Sequence, residues 1–389
     1  MVPGNHHVRK TPFALYTAFF TAGLIEILFP RLNWQISFLY LDAYYLRILT
    51  FAGLIILSLL SVAFGLLKPS GNKRRKLLIG ILVVLTGLLI PLINIKSVNV
   101  VLLADLFLFS GSMFIQIAGL QAVFVPDDNT KNAQRIVAVY LVKSAGLIVG
   151  LLIPSLLPGT GIYESKLLLL LSVLILLLSL ALLFFLPFPG QEEAGLGNRG
   201  KNILVKLISD KFIFLVLGGL IVYAGTEYCL IEMIPFYFSE TFGIKIMQTL
   251  IPGAGIFMFS FFVGRLACLL IIGRIKPEIV FLLSSLLCIF GLFTIFIGQK
   301  YLSLAASVMI GLGASCIFPL MIYLALNRIQ EGRIVLIGLM IATIPIGALF
   351  PSFMWAVADS VSIAISFVVP VFCMFYITWI AIMQVRRRG

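Results

Sequence analysis

The sequence contains few charged residues. Asp, Glu, Lys and Arg together make up 11% of the 389 residues, whereas an ordinary soluble domain has about 25%. Hydrophobic residues make up 61%, against about 45–50% in soluble proteins. Too few polar side chains are present to cover a folded core of this size. This shortage excludes an ordinary soluble globular protein.

Histidine and metal-binding patterns are also scarce. The two histidines, His6 and His7, are adjacent in the N-terminal tail, and the five cysteines lie within apolar runs, without the spacing of a metal site or a disulfide framework. No HExxH motif and no pair of aspartates within the apolar runs occurs. Because an enzyme needs catalytic groups placed close to one another, we expect no enzymatic activity, no metal and no cofactor.

The sequence does contain many long apolar runs. Each has about 20 residues, the length that a helix needs to cross the hydrocarbon core of a bilayer, and none alternates with the period of a barrel strand. They predict an all-α polytopic membrane protein with twelve transmembrane helices, at 12–30, 43–67, 77–95, 99–124, 135–157, 166–187, 212–238, 247–272, 278–298, 302–327, 333–357 and 361–385.

Basic residues cluster on one side of this predicted topology. Of the 28 Lys and Arg, about 20 fall in or at the edges of the breaks on the side of both termini, and five fall on the other side (Arg31, Lys96, Lys166, Lys245 and Lys300). Cytoplasmic loops carry such an excess of positive charge. We therefore expect a multi-pass protein of the cell (inner) membrane with both termini in the cytoplasm. The net charge of +13 reflects contact with the lipid bilayer and not with nucleic acid.

The chain divides into two similar halves. The polar segment 188–211 lies near the midpoint, so we predict an N-terminal six-helix bundle (1–190), a cytoplasmic linker with a short amphipathic helix (191–211) and a C-terminal six-helix bundle (212–389). An Ala-Gly pair followed by an acid occurs in both halves, before Glu26 and before Glu227. Six helices plus six is the architecture of the major facilitator superfamily.

Seven charged residues stand out inside the predicted spans, beyond the first residue of each: Glu26, Arg47, Asp105, Lys143, Glu227, Glu232 and Arg265. A charge in the hydrocarbon core is costly unless it is paired or hydrated, so each is a functional candidate. Glu26 and Glu227 lie at matching depths, where a carboxylate can bind a proton or a hydroxylated solute. The alternative is a hydrogen bond between helices.

Lys143 lies about 12 Å from the start of its helix, too deep to reach the membrane surface. It must therefore face water or an acid. Gln116 is expected at a similar depth beside it, and a structural ion pair with Glu26 is the alternative. The aromatic rings of Tyr140 and Tyr223 are candidates for stacking on a sugar.

Several stretches resemble the fucose–galactose–hexose:proton symporter family of the major facilitator superfamily. They cover most of 212–380 and, more weakly, about 100–150: YAGTEYCLIEMIPFYFSETFGI (223–244), GRLACLLIIGRIKP (264–277), GLGASCIFPLMIYLAL (311–326), GLMIATIPIGALFPSFMWAVADS (338–360) and QRIVAVYLVKSAGLIVG (134–150). The resemblance implies a symporter that imports sugars with the proton gradient and binds its solute between the two halves.

The resemblance also implies site residues. Glu227 matches the family's helix 7 glutamate, Gln116 stands where the family carries a proton-linked glutamate, and Tyr140 and Lys143 stand where it tends to have amides. These departures make the pocket about two charges more positive, so a neutral sugar and an anionic solute both remain open. The gating loop Lys68–Lys76 lacks the superfamily's aspartate; its basic residues Lys73, Arg74 and Arg75, with Arg265, are the gating candidates.

We therefore expect a monomeric secondary active transporter of a small polar solute, a sugar or a sugar-derived compound, either neutral or anionic. The solute would bind Gln116, Tyr140, Lys143, Tyr223 and Glu227, and a proton (or a sodium ion) would be coupled through Glu26 or Glu227. The alternative is an exporter, or a flippase for lipids or amphiphiles, of the same fold working by antiport or facilitation. A lateral opening lined by Leu and Phe would favour that alternative; a closed, polar, aromatic-lined cavity would favour the first.

Overall fold

Every regular element in the described part of the chain is a helix. The computed structural model describes residues 13–37, 43–66, 73–93, 98–125, 129–156, 162–185, 200–244 and 255–388. The helices are α1 (Phe13–Ser37), α2 (Ala43–Leu66), α3 (Lys73–Ile93), α4 (Val98–Val123), α5 (Asn129–Leu156), α6 (Ile162–Phe185), α7 (Gly200–Ser209), α8 (Lys211–Phe242), α9 (Ile256–Ile271), α10 (Pro277–Ile295), α11 (Lys300–Ala314), α12 (Ile317–Arg328), α13 (Arg333–Gly347), α14 (Phe350–Ser360), α15 (Ile363–Ser366) and α16 (Val368–Arg388).

The lengths and composition of these helices suit a membrane. Seven helical stretches of 19 to 32 residues are long and apolar enough to cross one, and four shorter stretches are similarly apolar. In hydrocarbon every backbone polar group must find a partner within the protein, which a helix provides within itself. The prediction of an all-helical, polytopic membrane protein is confirmed.

Three predicted spans are divided in the structure. The expected helices 302–327, 333–357 and 361–385 each break in two, between α11 and α12, α13 and α14, and α15 and α16. A proline follows each break: Pro319, Pro351 and Pro370. Because proline has no N–H to bond the carbonyl four residues earlier, the helix is interrupted there. The expected start of the eighth span, at 247–254, lies outside the described residues.

Most of the packing occurs within two groups of helices. In the N-terminal group (α1–α6), α1 packs on α4, α5 and α6, and α3 packs on α4 and α6. In the C-terminal group (α8–α16), α8 packs on α13 and α16, and α10 packs on α11 and α16. The groups meet along two seams, one between α2 and α13 and the other between α5 and both α9 and α12.

The contacts along these seams lie toward one side of the bundle. We call it the basic side; α5 and α13 begin there, α2 and α9 end there, and its residues include Lys131, Arg274, Lys276 and Arg333. On this side the Ser61 hydroxyl donates to the Gly338 carbonyl at 3.1 Å, and the Arg333 guanidinium lies 4.9 Å from the centre of the Phe124 ring. Gly65 and Gly338 bring the backbones of α2 and α13 into contact, since a Cβ on either would lie 2.8 Å from the other's Cα.

On the opposite side, the α5–α9 seam opens into a cavity of about 520 Å³. Ile148, Leu151 and Leu152 of α5 face Phe259 and Val263 of α9 across it, with α11 behind. These α5 residues lie 8 to 12 positions beyond Tyr140, or about 12–18 Å along the helix. The two helix groups are therefore joined on the basic side and separated along this seam on the opposite side. We call that opposite side the open side.

The short helix expected in the linker is present as α7. Its neighbour is the turn between α12 and α13: a Cβ on Gly332 would meet the Ile203 side chain, and Lys206 lies 3.8 Å from Glu331. Gly332 has a φ of 77°, a conformation that favours glycine. Leu207 is buried, whereas Val205 is exposed. Helix α7 is thus attached to the C-terminal group, and the rest of the expected linker, 191–199, lies outside the described residues.

Candidate functional site

Two glycines bring α1 and α5 into backbone contact. A Cβ on Gly23 would collide with the Lys143 carbonyl oxygen, and one on Gly146 would collide with the Phe20 carbonyl oxygen. Small residues allow this close approach of helices in a membrane bundle. The Ala-Gly pair that precedes Glu26 in the sequence therefore sets the distance between α1 and α5 at the level of the two charges.

At this contact, Glu26 and Lys143 form an ion pair. The Lys143 Nζ lies 2.5 Å from the Glu26 Oε1, and it also donates to the Gln116 Oε1 at 3.4 Å. The Tyr140 hydroxyl donates to the same Gln116 oxygen at 3.4 Å. Lys143 and Gln116 are therefore neighbours, as expected, and the ion pair with Glu26 also exists. The Glu26 side chain is 21% exposed and that of Lys143 is 9% exposed.

In the C-terminal group, the matching Ala-Gly pair places Glu227. A Cβ on Gly225 would collide with the Phe350 ring, and one on Gly347 would lie 2.6 Å from the Ala224 Cβ. The break between α13 and α14 thus packs directly on α8 at this level. Glu227 is half-buried and interacts electrostatically with Arg265, Lys143 and Glu26.

The break between α11 and α12 supplies carbonyl oxygens to the site. Pro319 cannot donate to the Ser315 carbonyl, and the Arg265 Nε donates to that oxygen at 3.0 Å. The Tyr223 hydroxyl donates to the neighbouring Ala314 carbonyl at 2.7 Å. Discontinuous helices at mid-depth provide such backbone groups in transporters. Here they fix the side chains of Arg265 and Tyr223.

Arg265 connects the two helix groups. The Arg265 Nη1 donates to the Tyr140 carbonyl of α5 at 2.7 Å, and the guanidinium lies 4.2 Å from the centre of the Phe261 ring. The residue is 3% exposed, so it does not extend to the membrane surface. Both of its polar contacts are to neutral carbonyls, and the nearby negative charge is that of Glu227.

Three aromatic rings form a layer on the basic side of the charges. Phe318 lies between Tyr140 and Tyr223, with ring centres 5.5 and 5.9 Å away, and all three are buried. Tyr140 precedes Lys143 by three positions on α5, and Tyr223 precedes Glu227 by four on α8. The layer therefore lies about one helical turn nearer to the basic side than Lys143 and Glu227.

The fold as a whole is similar to solved transporter structures. FucP, a Major Facilitator Superfamily transporter in the outward conformation, matches with a TM-score of 0.80 and 16% identity, over 95% of this chain and 97% of that chain. A variant of the E. coli fucose:proton symporter FucP gives a TM-score of 0.80 and 17% identity, over 96% and 99%. The human organic anion transporter MFSD10 (TETRAN) gives 0.72 and 13%, over 96% and 99%.

This chain has the major facilitator superfamily fold. No protein-family model and no curated protein matches its sequence, so the similarity rests on the structure. At 13–17% identity the fold is shared, but the function of each side chain has to be argued from its own contacts.

Within the major facilitator fold, the expected gating residues differ in their contacts. The Lys73 Nζ donates to the Gln121 carbonyl at 2.9 Å, and the Arg74 guanidinium donates to the Phe184 carbonyl at 3.1 Å. Both contacts stay within the N-terminal group, and Arg75 is exposed. The loop at 67–72 lies outside the described residues. A gating role for these three residues stays a prediction, whereas Arg265 contacts both groups.

The remaining charged candidates lie away from the four central charges. The Trp355 Nε1 donates to the Glu232 carboxylate at 2.7 Å, in an exposed position. Asp105 is buried; Lys96, which the sequence offers as its partner near the outer end of the same span, lies outside the described residues. The side chain of Arg47 is likewise outside them.

The sequence did not identify Phe318 as a site residue. A single phenylalanine among 33 carries no signal of its own, because aromatic residues are common throughout such a chain. The sequence signal available for Phe318 was the cluster of Gly311, Gly313 and Pro319 in the same span. Small residues and a proline in one span indicate a break, and a break positions the next side chains differently from a continuous helix.

Proposed function

We propose that this protein is a secondary active transporter that moves a small polar solute across the membrane by alternating access. One observation carries the proposal: the Glu26–Lys143 ion pair of the N-terminal group, Glu227 of the C-terminal group and Arg265, which joins the two groups, lie close enough to interact electrostatically. Ionisable residues held within a membrane bundle mark solute and ion pathways. A bundle that is joined on one side and separated on the other suits one of two alternating conformations.

In this proposal the architecture is that of two six-helix bundles, 1–190 and 212–389, joined by the linker 191–211. Each divided helix in the C-terminal group counts as one span, which gives twelve. The excess of Lys and Arg assigns the basic side to the cytoplasm of the cell (inner) membrane. The structure then corresponds to an outward-facing conformation, and the monomer contains the whole pathway.

The solute that we propose is a sugar or a sugar-derived compound, imported with a proton. The likeness to a fucose:proton symporter supports this choice, and the likeness to an organic anion transporter supports keeping anions among the candidates. Glu26 and Glu227 are both partly exposed, so either can exchange a proton with the open side. Protonation there changes the balance between the two conformations. Gln116, Tyr140 and Tyr223, all buried in this conformation, stay predictions as solute contacts.

The proton-coupling role predicts a clear result for glutamine variants. Glu26→Gln and Glu227→Gln are tested in proteoliposomes, with uptake of a radiolabelled sugar panel under an imposed pH gradient. Because glutamine cannot take up a proton, the variant at the coupling site should lose at least about tenfold of its gradient-driven accumulation while retaining exchange at equal pH. Exposed Glu240→Gln, at the end of α8, is the matched control. If both variants keep gradient-driven uptake, neither acid is the proton site.

A flippase or exporter for amphiphiles is the second candidate, because the cavity between α5 and α9 is lined by Leu, Ile, Phe and Val. Leu152 and Phe259 on its rim are exposed, and an apolar opening of this kind accepts an alkyl chain from the bilayer.

A groove-filling variant separates the two candidates. Leu152→Trp should slow the movement of a fluorescent phosphatidylethanolamine between leaflets if lipid enters here, whereas Leu174→Trp, on the exposed face of α6, should not. The measurement is dithionite quenching in proteoliposomes. Lipid movement equal to that of empty liposomes would remove the second candidate.

A further inference from the structure

The ammonium group of Lys143 depends on Glu26 for its countercharge. Its contacts are the Glu26 carboxylate at 2.5 Å, the Gln116 amide oxygen at 3.4 Å and the Tyr140 ring at 5.7 Å. Only the first carries a full negative charge. Glu26 is the more exposed partner of the pair, at 21% against 9% for Lys143.

Arg265, the other central cation, is held differently. It is bound to the carbonyls of Ser315 and Tyr140 and stacked on Phe261. None of these three contacts involves a carboxylate. Arg265 therefore remains in place when a carboxylate is protonated, whereas Lys143 loses its charged partner. The two cations are not equivalent as docking points for a solute.

Among the described residues, the charges of the Glu26 cluster sum to zero. Lys143, Tyr140, Glu227 and Tyr228 interact with Glu26 itself, Gln116 bonds to Lys143, and Arg265 interacts with Glu227. Two carboxylates balance two cations, and the two tyrosines and the amide are neutral. Protonation of Glu26 leaves one uncompensated positive charge on a side chain that is 9% exposed. An unpaired buried charge is strongly unfavourable.

We propose that the transported solute is a hydroxylated monoanion whose carboxylate replaces Glu26 on the Lys143 Nζ when Glu26 is protonated. The inference rests on the proposed function and names its substrate class. One proton from the open side binds a Glu26 oxygen, the Glu26–Lys143 pair separates, and the solute carboxylate takes the vacated position. On the other side of the membrane, loss of the proton restores the pair and expels the anion. One proton and one anion cross together, so no net charge moves.

A neutral sugar does not satisfy the same balance. Bound with a proton, it leaves Lys143 without a countercharge in a poorly hydrated place. A dianion, such as a sugar phosphate, would introduce one negative charge too many. Carboxylates with several hydroxyls fit best, because the Gln116 amide and the Tyr140 hydroxyl beside Lys143 offer hydrogen bonds to hydroxyl groups.

The experiment compares monoanions with neutral sugars under separate control of pH and voltage. Wild-type proteoliposomes receive D-gluconate, D-glucuronate or L-lactate as monoanions, D-glucose or L-fucose as neutral solutes, and glucose 6-phosphate as a dianion. A potassium diffusion potential sets the voltage at a fixed pH gradient. Moving one charge makes accumulation change about 50-fold per 100 mV. We expect at least one monoanion to be accumulated by the pH gradient with less than a twofold effect of voltage.

Variants and a binding measurement test the exchange itself. Detergent-solubilised wild-type protein should take up about one proton per bound monoanion, measured with a pH dye in weak buffer. Glu26→Gln should bind the anion without proton uptake, and Lys143→Gln should lose anion binding at least about tenfold. Exposed Lys206→Gln is the matched control and should behave as wild type. The double variant Glu26→Gln/Lys143→Gln keeps the pocket neutral and must also fail to bind the anion, which separates the loss of the docking charge from misfolding.

Two results would overturn the inference, and they are distinguishable. If a neutral sugar is accumulated by the pH gradient with the 50-fold voltage effect, the proposed transporter stands and the anion exchange is wrong. If no solute is accumulated by the gradient and no monoanion binds with proton uptake, the proposed function fails as well.

Discussion

Replacing Arg265 with glutamine is expected to open the basic side of the bundle and to reduce gradient-driven uptake at least about tenfold. The guanidinium bonds to the Tyr140 carbonyl across the two helix groups at 2.7 Å and is 3% exposed. A hydrogen bond from a charged donor contributes about 1.5–3 kcal/mol, and about 1.4 kcal/mol is a factor of ten. The ratio between the conformation joined on the basic side and the alternative conformation should therefore fall about 10- to 100-fold.

Paired spin labels measure this shift directly. One pair on the exposed basic-side residues Lys131 and Lys276 should move apart, and a second pair on Leu152 and Phe259 should move together. Arg274→Gln, exposed just beyond the end of α9, is the control and should leave both distances unchanged. If Arg265→Gln abolishes uptake without altering either distance, Arg265 acts on the solute and not on the joined seam.

Replacing Gly338 with alanine is expected to have a comparable effect through a different contact. The new Cβ would lie 2.8 Å from the Gly65 Cα and 3.1 Å from the Ser61 carbonyl oxygen. Both are backbone atoms, which cannot move away by a change of rotamer. Overpacking of this kind costs about 1–3 kcal/mol. Because this contact exists only where α2 and α13 meet, the penalty applies to the conformation joined on the basic side.

The same spin-label pairs report the outcome, together with uptake at a fixed pH gradient. The control is Gly53→Ala on α2, where an added Cβ would have no atom within 4 Å. Gly53→Ala should retain wild-type distances and uptake, while Gly338→Ala should show the longer Lys131–Lys276 distance. A Gly338→Ala protein with unchanged distances would mean that α2 and α13 separate at little cost.

The helical membrane architecture was predictable because the bilayer allows few alternatives. A chain with 61% hydrophobic residues in 20-residue runs can satisfy its backbone there as helices or a closed barrel, and the length of the runs excludes the barrel. The central charges were identifiable for a related reason: a charge such as Lys143 or Glu227 in an apolar run is too costly to be incidental. Their depth along each helix also followed from counting residues.

The partners of these charges were less predictable, because they depend on packing between distant parts of the chain. Arg265 lies near the end of its span and was a gating candidate by sequence alone; in the structure it is buried against Ser315 and Tyr140. The carbonyl of Ser315 is free for it because of Pro319, a backbone effect that hydrophobic periodicity does not report. The contact of Gly65 with Gly338 joins residues 273 positions apart, and no local pattern marks it.

The attachment of α7 to the turn between α12 and α13 has a practical consequence. Because Ile203 packs at Gly332, any rotation of the C-terminal group has to carry α7 with it. Val205 is 64% exposed, so a fluorophore can be attached there. Its orientation relative to the membrane plane would then report the rotation of the C-terminal group during the transport cycle, with no label inside the pathway.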